Sequence, residues 1–364
     1  MYAGVVYVDT SATGTNNGLN WDSAFVDLQA ALQVALYCDI DTIFVAQGTY
    51  YPSNPDTLYI CGSVDTVYPV DRFVSFNIPD SVVVMGGFPS GGGTLADRDW
   101  LCNITTLCGD IDRGGDTTGN SYHVVYTKNV SELTTVDGFV ISGGNATGSG
   151  DNSRGGGWLN DGNGNNTNPN NPANRSNPTI LNTSFIQNIA EAGGAMYNDG
   201  RNDGEASPAI TNSCFIRNEA LDNGGAIVNN ANQGGISNPA VISSLFESNS
   251  SNAGGAIWNS VESSTGMIAL QISKTIFRGN TATNRGGAIF STDSATIVVN
   301  IENSIFSGNS ADRGGAIYNR KSEFNILNSV LAGNTANNGG TMFNDDTTIV
   351  SIDNSIIWNN SGTF

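Results

Sequence analysis

The sequence predicts an all-β solenoid, a parallel β-helix, in which short strands stack on the equivalent strands of the next coil. Three observations predict it. A motif recurs at nearly constant spacing over more than half of the 364 residues, its apolar runs are short and β-branched, and Gly, Asn and Pro bound those runs. No helical period fits between the runs, and a leucine-rich repeat would show its own Leu/Asn signature. One repeat cannot bury an apolar face by itself, so the coils must stack to form a core.

The first element is a strand followed by a helix, and residues 1–45 form an N-terminal capping region. The stretch NWDSAFVDLQAALQVALY, residues 20–37, predicts a helix that Asp22 or Ser23 can cap. Its apolar residues follow the helical period (Phe25, Leu28, Leu32, Ala35 and Leu36). The open end of a parallel β-helix would template aggregation, so we expect this short helix to cover it.

Residues 46–136 are expected to form irregular first coils. The runs TIFVAQGTYYP and SVVVMGGF are typical of strands, and GDIDRGGDTTGNSYHVVY at 109–126 is typical of a loop that leads into the next coil. Within that loop, Asp110, Asp112 and Asp116 could hold calcium, although the EF-hand pattern is absent and a solvated loop is the alternative. No other cofactor is expected.

Residues 137–364 carry the regular repeats, each anchored on F-x-x-N. The anchors are Phe185, Phe215, Phe246, Phe277, Phe306, Leu331 and Ile357, spaced by 30, 31, 31, 29, 25 and 26 residues. Ile180, Ile210, Val241, Ile272, Ile301, Ile326 and Ile352 precede them at a fixed distance. We expect two strands per repeat plus a third short one, with like residues aligned in columns.

The Asn of each anchor motif predicts a structural ladder. Its members are Asn188, Asn218, Asn249, Asn280, Asn309 and Asn334, with Asn360 in the last copy. Stacked Asn amides can hydrogen-bond to their neighbours above and below, and Asn also tolerates the left-handed backbone of a sharp bend. A row of Asn lining a ligand groove is the alternative.

A second block, G-G-A followed by Ile or Met, comes after most anchors and carries an aromatic column. Its members are Tyr197, Trp258, Phe290, Tyr318 and Phe343, with Val228 between the first two. The residue before each of them is aliphatic. Since neighbouring residues of a strand face opposite sides, only one of the two columns can face the core. We interpret the aromatic column as core; the alternative is an exposed strip that stacks on sugars or on another protein.

The last copy, NSIIWNNSGTF, has no second block. The chain is therefore expected to stop partway through a coil, either as a fragment of a longer protein or with its open end covered by a partner.

Five cysteines allow several pairings. Cys102 and Cys108 could close a small loop, Cys38 could pair with Cys61, and Cys214 is typical of a small buried apolar residue. The alternative is that all five are free thiols. No spacing resembles a zinc site.

The charge balance excludes some partners. Asp and Glu number 33 against 14 Lys and Arg, for a net charge of −19, which repels phosphate backbones and anionic lipid. We therefore expect no nucleic-acid partner. No apolar run is long enough to span a membrane, and MYAGVVYVDT lacks the features of a signal peptide. We interpret the signal as already removed and expect a secreted or cell-surface protein; a cytosolic protein is the alternative.

The catalytic signals are sparse. A polysaccharide lyase needs a base beside a neutralising cation, and a hydrolase needs converging carboxylates. In the repeat region the only adjacent Asp pair is Asp345–Asp346, and His123 is the only histidine of the chain. Arg285 and Arg313 precede successive G-G-A blocks, so they are expected to be stacked neighbours that could bind a uronate or simply be solvated. Whether the protein is an enzyme is uncertain, with the pattern favouring a non-enzyme.

With these motifs in view, the chain resembles chlamydial polymorphic outer-membrane proteins, through F-x-x-N and G-G-A-[IM]. It is also similar to secreted β-helix proteins of bacteria, many of Bacteroidota type, through YVDTSATGTNNGLNWDSAFVDLQAAL and GGF…RDW…GDID. The resemblance implies a right-handed, pectate-lyase-like β-helix and a role in cell-surface adhesion or display. The chain is expected to depart from that pattern, with no transporter barrel or sorting domain after its repeats.

The function favoured by these observations is that of a non-catalytic extracellular or cell-surface structural protein, a rigid rod for adhesion that could build filaments or a surface layer. Expected partners are a second copy, another surface protein, or glycans. A polysaccharide lyase or hydrolase of the same fold, or a carbohydrate-binding module, is the alternative.

Overall fold

The computed structural model describes residues 4–53, 71–164, 174–262, 265–292, 296–345 and 348–363. Within these ranges the chain forms one α-helix, one short 3-10 helix (Gly150–Ser153) and 38 strands, all paired in parallel with the equivalent strand of the next coil. The predicted parallel β-helix is therefore confirmed.

The elements are numbered in chain order. The first coils contain β1 (Gly4–Val8), α1 (Leu28–Tyr37), β2 (Ile40–Ala46), β3 (Gly48–Tyr50), β4 (Phe76–Asn77), β5 (Val83–Phe88), β6 (Thr105–Cys108) and β7 (Val125–Lys128). The next two coils contain β8 (Thr135–Asp137), β9 (Val140–Ser142), β10 (Asn145–Ala146), β11 (Trp158–Asp161), β12 (Thr179–Leu181), β13 (Ser184–Ile186), β14 (Ile189–Ala192) and β15 (Met196–Asp199). Two more contain β16 (Ala209–Thr211), β17 (Cys214–Ile216), β18 (Glu219–Asn223), β19 (Ile227–Asn230), β20 (Ala240–Ile242), β21 (Leu245–Glu247), β22 (Ser250–Ala253) and β23 (Ile257–Ser260).

The later coils continue the same order. They contain β24 (Ile268–Ser273), β25 (Ile276–Arg278), β26 (Thr281–Arg285), β27 (Ile289–Ser291), β28 (Ile297–Glu302), β29 (Ile305–Ser307), β30 (Ser310–Arg313) and β31 (Ile317–Arg320). The last are β32 (Glu323–Leu327), β33 (Val330–Ala332), β34 (Thr335–Asn338), β35 (Met342–Asp345), β36 (Ile349–Asp353), β37 (Ile356–Trp358) and β38 (Ser361–Thr363).

A complete coil contributes one strand to each of four sheets. In the order that the chain visits them, the first sheet runs β1-β2-β5-β8-β12 through β36, the second β3-β6-β9-β13 through β37, the third β10-β14-β18 through β38, and the fourth β4-β7-β11-β15 through β35. The expectation of two strands and a third short one per repeat was wrong. The additional strand lies between the Asn bend and the Gly-Gly corner, as in Ile189–Ala192, where small and polar residues give no strand signal.

The predicted register is confirmed in the second sheet. Phe185, Phe215, Phe246, Phe277 and Phe306 pair in sequence and are all fully buried. Their rings are stacked with centroids 4.5–4.8 Å apart and planes within 8° of parallel. The aliphatic column of the first sheet, from Ile180 to Ile352, pairs in the same way. Together these columns form one continuous apolar core along the solenoid.

The helix is shorter than predicted. It begins after Asp27, whose side chain accepts a hydrogen bond from the Gln29 N–H at 2.8 Å, so the caps predicted at Asp22 and Ser23 were wrong. The preceding residues are held in turns against β1, because the Asp9 N–H donates to the Phe25 carbonyl. The helix packs against β1, β2 and β4, and its Leu28 joins the apolar core beside the first coil, as a cap would.

The left-handed bends lie one residue before the ladder. The ladder Asn residues themselves have no positive φ, contrary to the expectation from the sequence. The residue that takes the positive φ is the one before each of them (Gln187, Arg217, Ser248, Gly279, Gly308, Gly333 and Asn359). This corner therefore tolerates several residue types, while the following Asn is reserved for hydrogen bonding.

The second glycine of the Gly-Gly corner is required for a different reason, the close approach of adjacent coils. A Cβ on Gly225 would collide with the Gly255 carbonyl oxygen of the next coil. We expect Gly225→Ala to lower the free energy of unfolding by about 3 kcal/mol. Gly333→Ala is the matched control, since its Cβ would meet no atom within 4 Å and only its φ of +66° is unfavourable, at about 1 kcal/mol. Equal losses in urea unfolding would refute the collision argument.

Three of the cysteines are free thiols, namely Cys102, Cys108 and Cys214. The proposed Cys102–Cys108 bridge is therefore absent, and Cys61, the proposed partner of Cys38, lies outside the described residues. Cys214 is half-buried on the outer side of the second sheet and not buried as expected, and burial raises the pKa of its thiol.

No helix in the described part of the chain is long and apolar enough to cross a membrane.

Candidate binding groove at the aromatic column

The predicted Asn ladder is confirmed as a structural element. From Asn188 to Asn360, each side-chain Nδ2 donates to the Oδ1 of the next Asn at 2.9–3.1 Å. From Asn188 to Asn334 it also donates to the carbonyl oxygen of a second-sheet residue at 2.9–3.0 Å. Since Asn188 to Asn334 are fully buried, these amides line no ligand groove.

A second ladder was not predicted from the sequence. Asn160, Asn198, Asn229 and Asn259 are buried in the fourth sheet and donate along the column at 2.8–3.0 Å, ending on Ser291. The sequence feature that could have predicted this second ladder is the Asn at the end of most G-G-A blocks, as in GGAMYN and GGAIWN.

The aromatic column lies outside the main core, so its interpretation as core was wrong. The aliphatic residues of the second block, from Met196 to Ile317, occupy the core, with Met342 packed against it, and the aromatic residues face the opposite side of the fourth sheet. The column is not a bare strip either, because Tyr197, Phe290 and Tyr318 are only 3%, 6% and 1% exposed. They form two small outer clusters, to which Trp258 and Phe343 contribute half-buried rings.

Arginine side chains shelter part of this column. The predicted neighbours Arg285 and Arg313 are indeed paired at the end of the third-sheet strands. The guanidinium carbon of Arg285 lies 5.4 Å from the Tyr318 ring centroid, and that of Arg313 lies 5.9 Å from that of Phe343. Cation–π contact of this kind stabilises each pair by about 0.5–1 kcal/mol at exposed sites. The pair therefore covers aromatic rings of the column.

A groove of about 620 Å³ opens where the column is interrupted. Val228 stands in register between Tyr197 and Trp258, and it is small and fully buried. The groove is lined by both of these rings, on one side by Glu191, Asp222 and Asn223 of the third-sheet strands, and on the other by Asn230, Asn232, Ser260 and Glu262. Arg154 and Arg201 lie at one end.

Both arginines of the groove are already paired. Arg201 donates to both carboxylate oxygens of Asp199 at 2.6 and 2.7 Å, and this hydrogen bonding raises the pKa of Arg201 further above its ordinary range. Arg154 lies 2.6 Å from an oxygen of Asp151. The Tyr197 hydroxyl accepts a hydrogen bond from Asn230 Nδ2 at 2.7 Å, and burial raises the pKa of Tyr197. The groove therefore holds no unpaired positive charge.

Comparison with known proteins connects these coils to a family. Residues 243–260, 274–292 and 303–320 match the Chlamydia polymorphic membrane protein repeat. These three segments are similar to that repeat, and together they cover 55 of the 364 residues. Each matched segment runs from the corner before a second-sheet strand to the fourth-sheet strand, so the polymorphic-membrane-protein-like repeat is the part of the coil that holds the first Asn ladder and the aromatic column.

Two further comparisons bear on the whole chain. The A-module of the mannuronan C-5 epimerase AlgE4 from Azotobacter vinelandii is a similar solved structure, with 14% identity, a TM-score of 0.35, and coverage of 98% of this chain and 96% of that one. No curated protein matches the chain.

Two other sites considered from the sequence lie away from the groove. His123 is buried, its Nδ1 donates to the Gly155 carbonyl at 3.0 Å, and burial lowers its pKa. It is therefore a core histidine. Asp345 accepts a hydrogen bond from the Tyr318 hydroxyl at 3.0 Å, whereas Asp346 lies outside the described residues.

The acidic loop uses its carboxylates to hold its own backbone. Asp110 and Asp112 both accept from the Gly114 N–H, at 3.1 and 3.0 Å, and Asp116 accepts from the Thr118 N–H at 2.8 Å. Among the residues that the structure describes, no three His, Cys, Asp or Glu side chains are grouped to hold a metal ion. Calcium binding stays a prediction, which thermal unfolding with millimolar calcium and with a chelator tests.

Proposed function

We propose that the protein is a non-catalytic, surface-associated structural protein, a β-helical rod for adhesion or display. The matched repeat family supports a surface location, since its name describes membrane proteins. The structural role is supported by the repeated residues, because the Phe, Asn and aliphatic positions of the regular coils stack on their equivalents in the next coil. Repetition of this kind builds length and stiffness.

The proposed setting is outside the cell, with a second copy or another surface protein as partner. The acidic surface keeps such a rod soluble and away from anionic lipid. Each coil adds about 4.8 Å to the length. Electron microscopy of the native material would show rods, and filaments longer than one chain would identify the second copy as the partner.

A polysaccharide hydrolase or lyase is the second candidate, favoured by Glu191, Asp222 and Glu262 along one groove. We expect no activity. Incubation with neutral and acidic polysaccharides should yield neither new reducing ends nor the ultraviolet absorbance of unsaturated uronates. Product formation that Glu191→Gln or Asp222→Asn abolishes would overturn the non-catalytic proposal and assign the chemistry to this groove.

A further inference from the structure

We propose that the groove between Tyr197 and Trp258 binds a neutral oligosaccharide. This inference goes beyond the proposed structural role and does not depend on it. A structural rod can bind a sugar without cleaving it, and the stacking described above would also form a rod that binds no sugar. The inference rests on the shape of the groove, the state of the Trp258 ring, and the charges around both.

The groove lies beside an interruption of the aromatic column. In neighbouring coils the column position holds Tyr197, Trp258 and Phe290, but here it holds Val228. Val228 is fully covered and packs in one cluster with Tyr197 and Trp258, and the groove that these two rings line has a volume within the range of small-ligand sites. Tyr197 is covered, whereas Trp258 is half-buried and presents part of its indole to the groove.

The Trp258 ring has the properties of a sugar platform. It packs against both outer clusters, and its Nε1–H is buried with no acceptor in the structure. Since Nε1 is closed to solvent, the part of the indole that lines the groove is its carbon surface. A rigid aromatic surface of this kind is suited to contact with the apolar face of a sugar.

The charges select a neutral ligand. Arg201 is bonded to Asp199 and Arg154 to Asp151, so each positive charge of the groove is already paired with a carboxylate. The walls add the carboxylates of Glu191, Asp222 and Glu262, which repel uronates, sulfates and phosphates. Carboxylates accept hydrogen bonds, while the amides of Asn223 and Asn232 both donate and accept, and together they match a row of hydroxyl groups.

The test is isothermal titration calorimetry with cellohexaose, xylohexaose, mannohexaose and maltohexaose, and with hexagalacturonate as the anionic comparison. We expect at least one neutral hexasaccharide to bind with a Kd below about 1 mM. Trp258→Ala should weaken that binding at least about tenfold, which corresponds to about 1.4 kcal/mol. Glu191→Gln, which removes a carboxylate acceptor from the wall, should weaken the binding as well.

Trp358→Ala is the matched control, because Trp358 is 72% exposed in the last coil and lies outside the groove. Its binding should equal that of the unaltered protein. If Trp258→Ala unfolds, as circular dichroism would reveal, Glu191→Gln decides the matter. Absence of binding by all four neutral sugars, binding that Trp258→Ala leaves unchanged, or tighter binding of hexagalacturonate would each overturn the proposal.

Discussion

Asn249→Ala is expected to lower the free energy of unfolding by about 4 kcal/mol. The Asn249 amide donates to the Phe215 carbonyl and to Asn280 Oδ1, both at 2.9 Å, and its Oδ1 accepts from both the backbone N–H and the Nδ2 of Asn218 at 3.0 Å. Alanine removes four hydrogen bonds at a fully buried site. It also leaves polar groups of two adjacent coils without partners, which costs more than the bonds contribute when made.

Urea unfolding followed by far-ultraviolet circular dichroism measures this loss. Asn252→Ala is the matched control in the same coil, because Asn252 lies on the outer side and only accepts from the Thr283 hydroxyl at 2.9 Å. That change should stay within about 0.5 kcal/mol. Similar losses for Asn249 and Asn252 would show that the buried ladder contributes no more than a surface hydrogen bond.

Phe246→Ala is expected to cost about 3–5 kcal/mol. The ring is fully buried and stacked between Phe215 and Phe277, at centroid distances of 4.5 and 4.7 Å. Removing it opens a cavity bounded by two rings that the backbone pairing of β21 holds in place, so the site cannot easily collapse. The loss is measured by the same urea unfolding.

Phe246→Leu separates volume from ring stacking. The chain itself places Leu331 in this column directly after Phe306, so leucine fits the backbone there. We expect a cost of about 1.5 kcal/mol or less for this substitution. A cost as large as that of alanine would mean that stacking of the rings, and not the filling of space, stabilises the column.

The register of the coils could be predicted from the sequence because the columns repeat their chemistry. Phe215 pairs with Phe246 and Ile210 with Val241, as the alignment predicts. In a parallel stack an aligned motif leads directly to aligned strands, since each residue pairs with its equivalent one coil away. The identity of the ladder and the neighbourhood of Arg285 and Arg313 follow from the same rule.

Other features could not be predicted because they depend on contacts around the coil. The third-sheet strands read as polar turns, as in Ser310–Arg313, and form strands only because the corners on both sides bring them into register. The direction of the aromatic column depended on which side of the fourth sheet faces the core, and alternation alone cannot decide that. The helix began late because residues before Asp27 are bound to β1.

The groove was also beyond prediction. Two residues of the aromatic column, Tyr197 and Trp258, line it, and the alignment does not distinguish them from the other members of that column. Its walls come from third-sheet residues such as Glu191 and from residues after the fourth-sheet strands, such as Asn232, which no motif connects. Only the three-dimensional path of the coil brings them to the same opening.

The first Asn ladder gives the rod a direction. Asn188 donates to Asn218, Asn218 to Asn249, and so on toward the later coils, so all the side-chain amide dipoles point the same way. A finished coil therefore offers an amide hydrogen to the segment that follows it, and the next Asn supplies the oxygen. The two ends of such a stack are therefore chemically different, because one presents an amide N–H donor and the other an amide oxygen acceptor. If copies join along the axis, this polarity permits only a head-to-tail sequence, so any filament would be polar along its entire length.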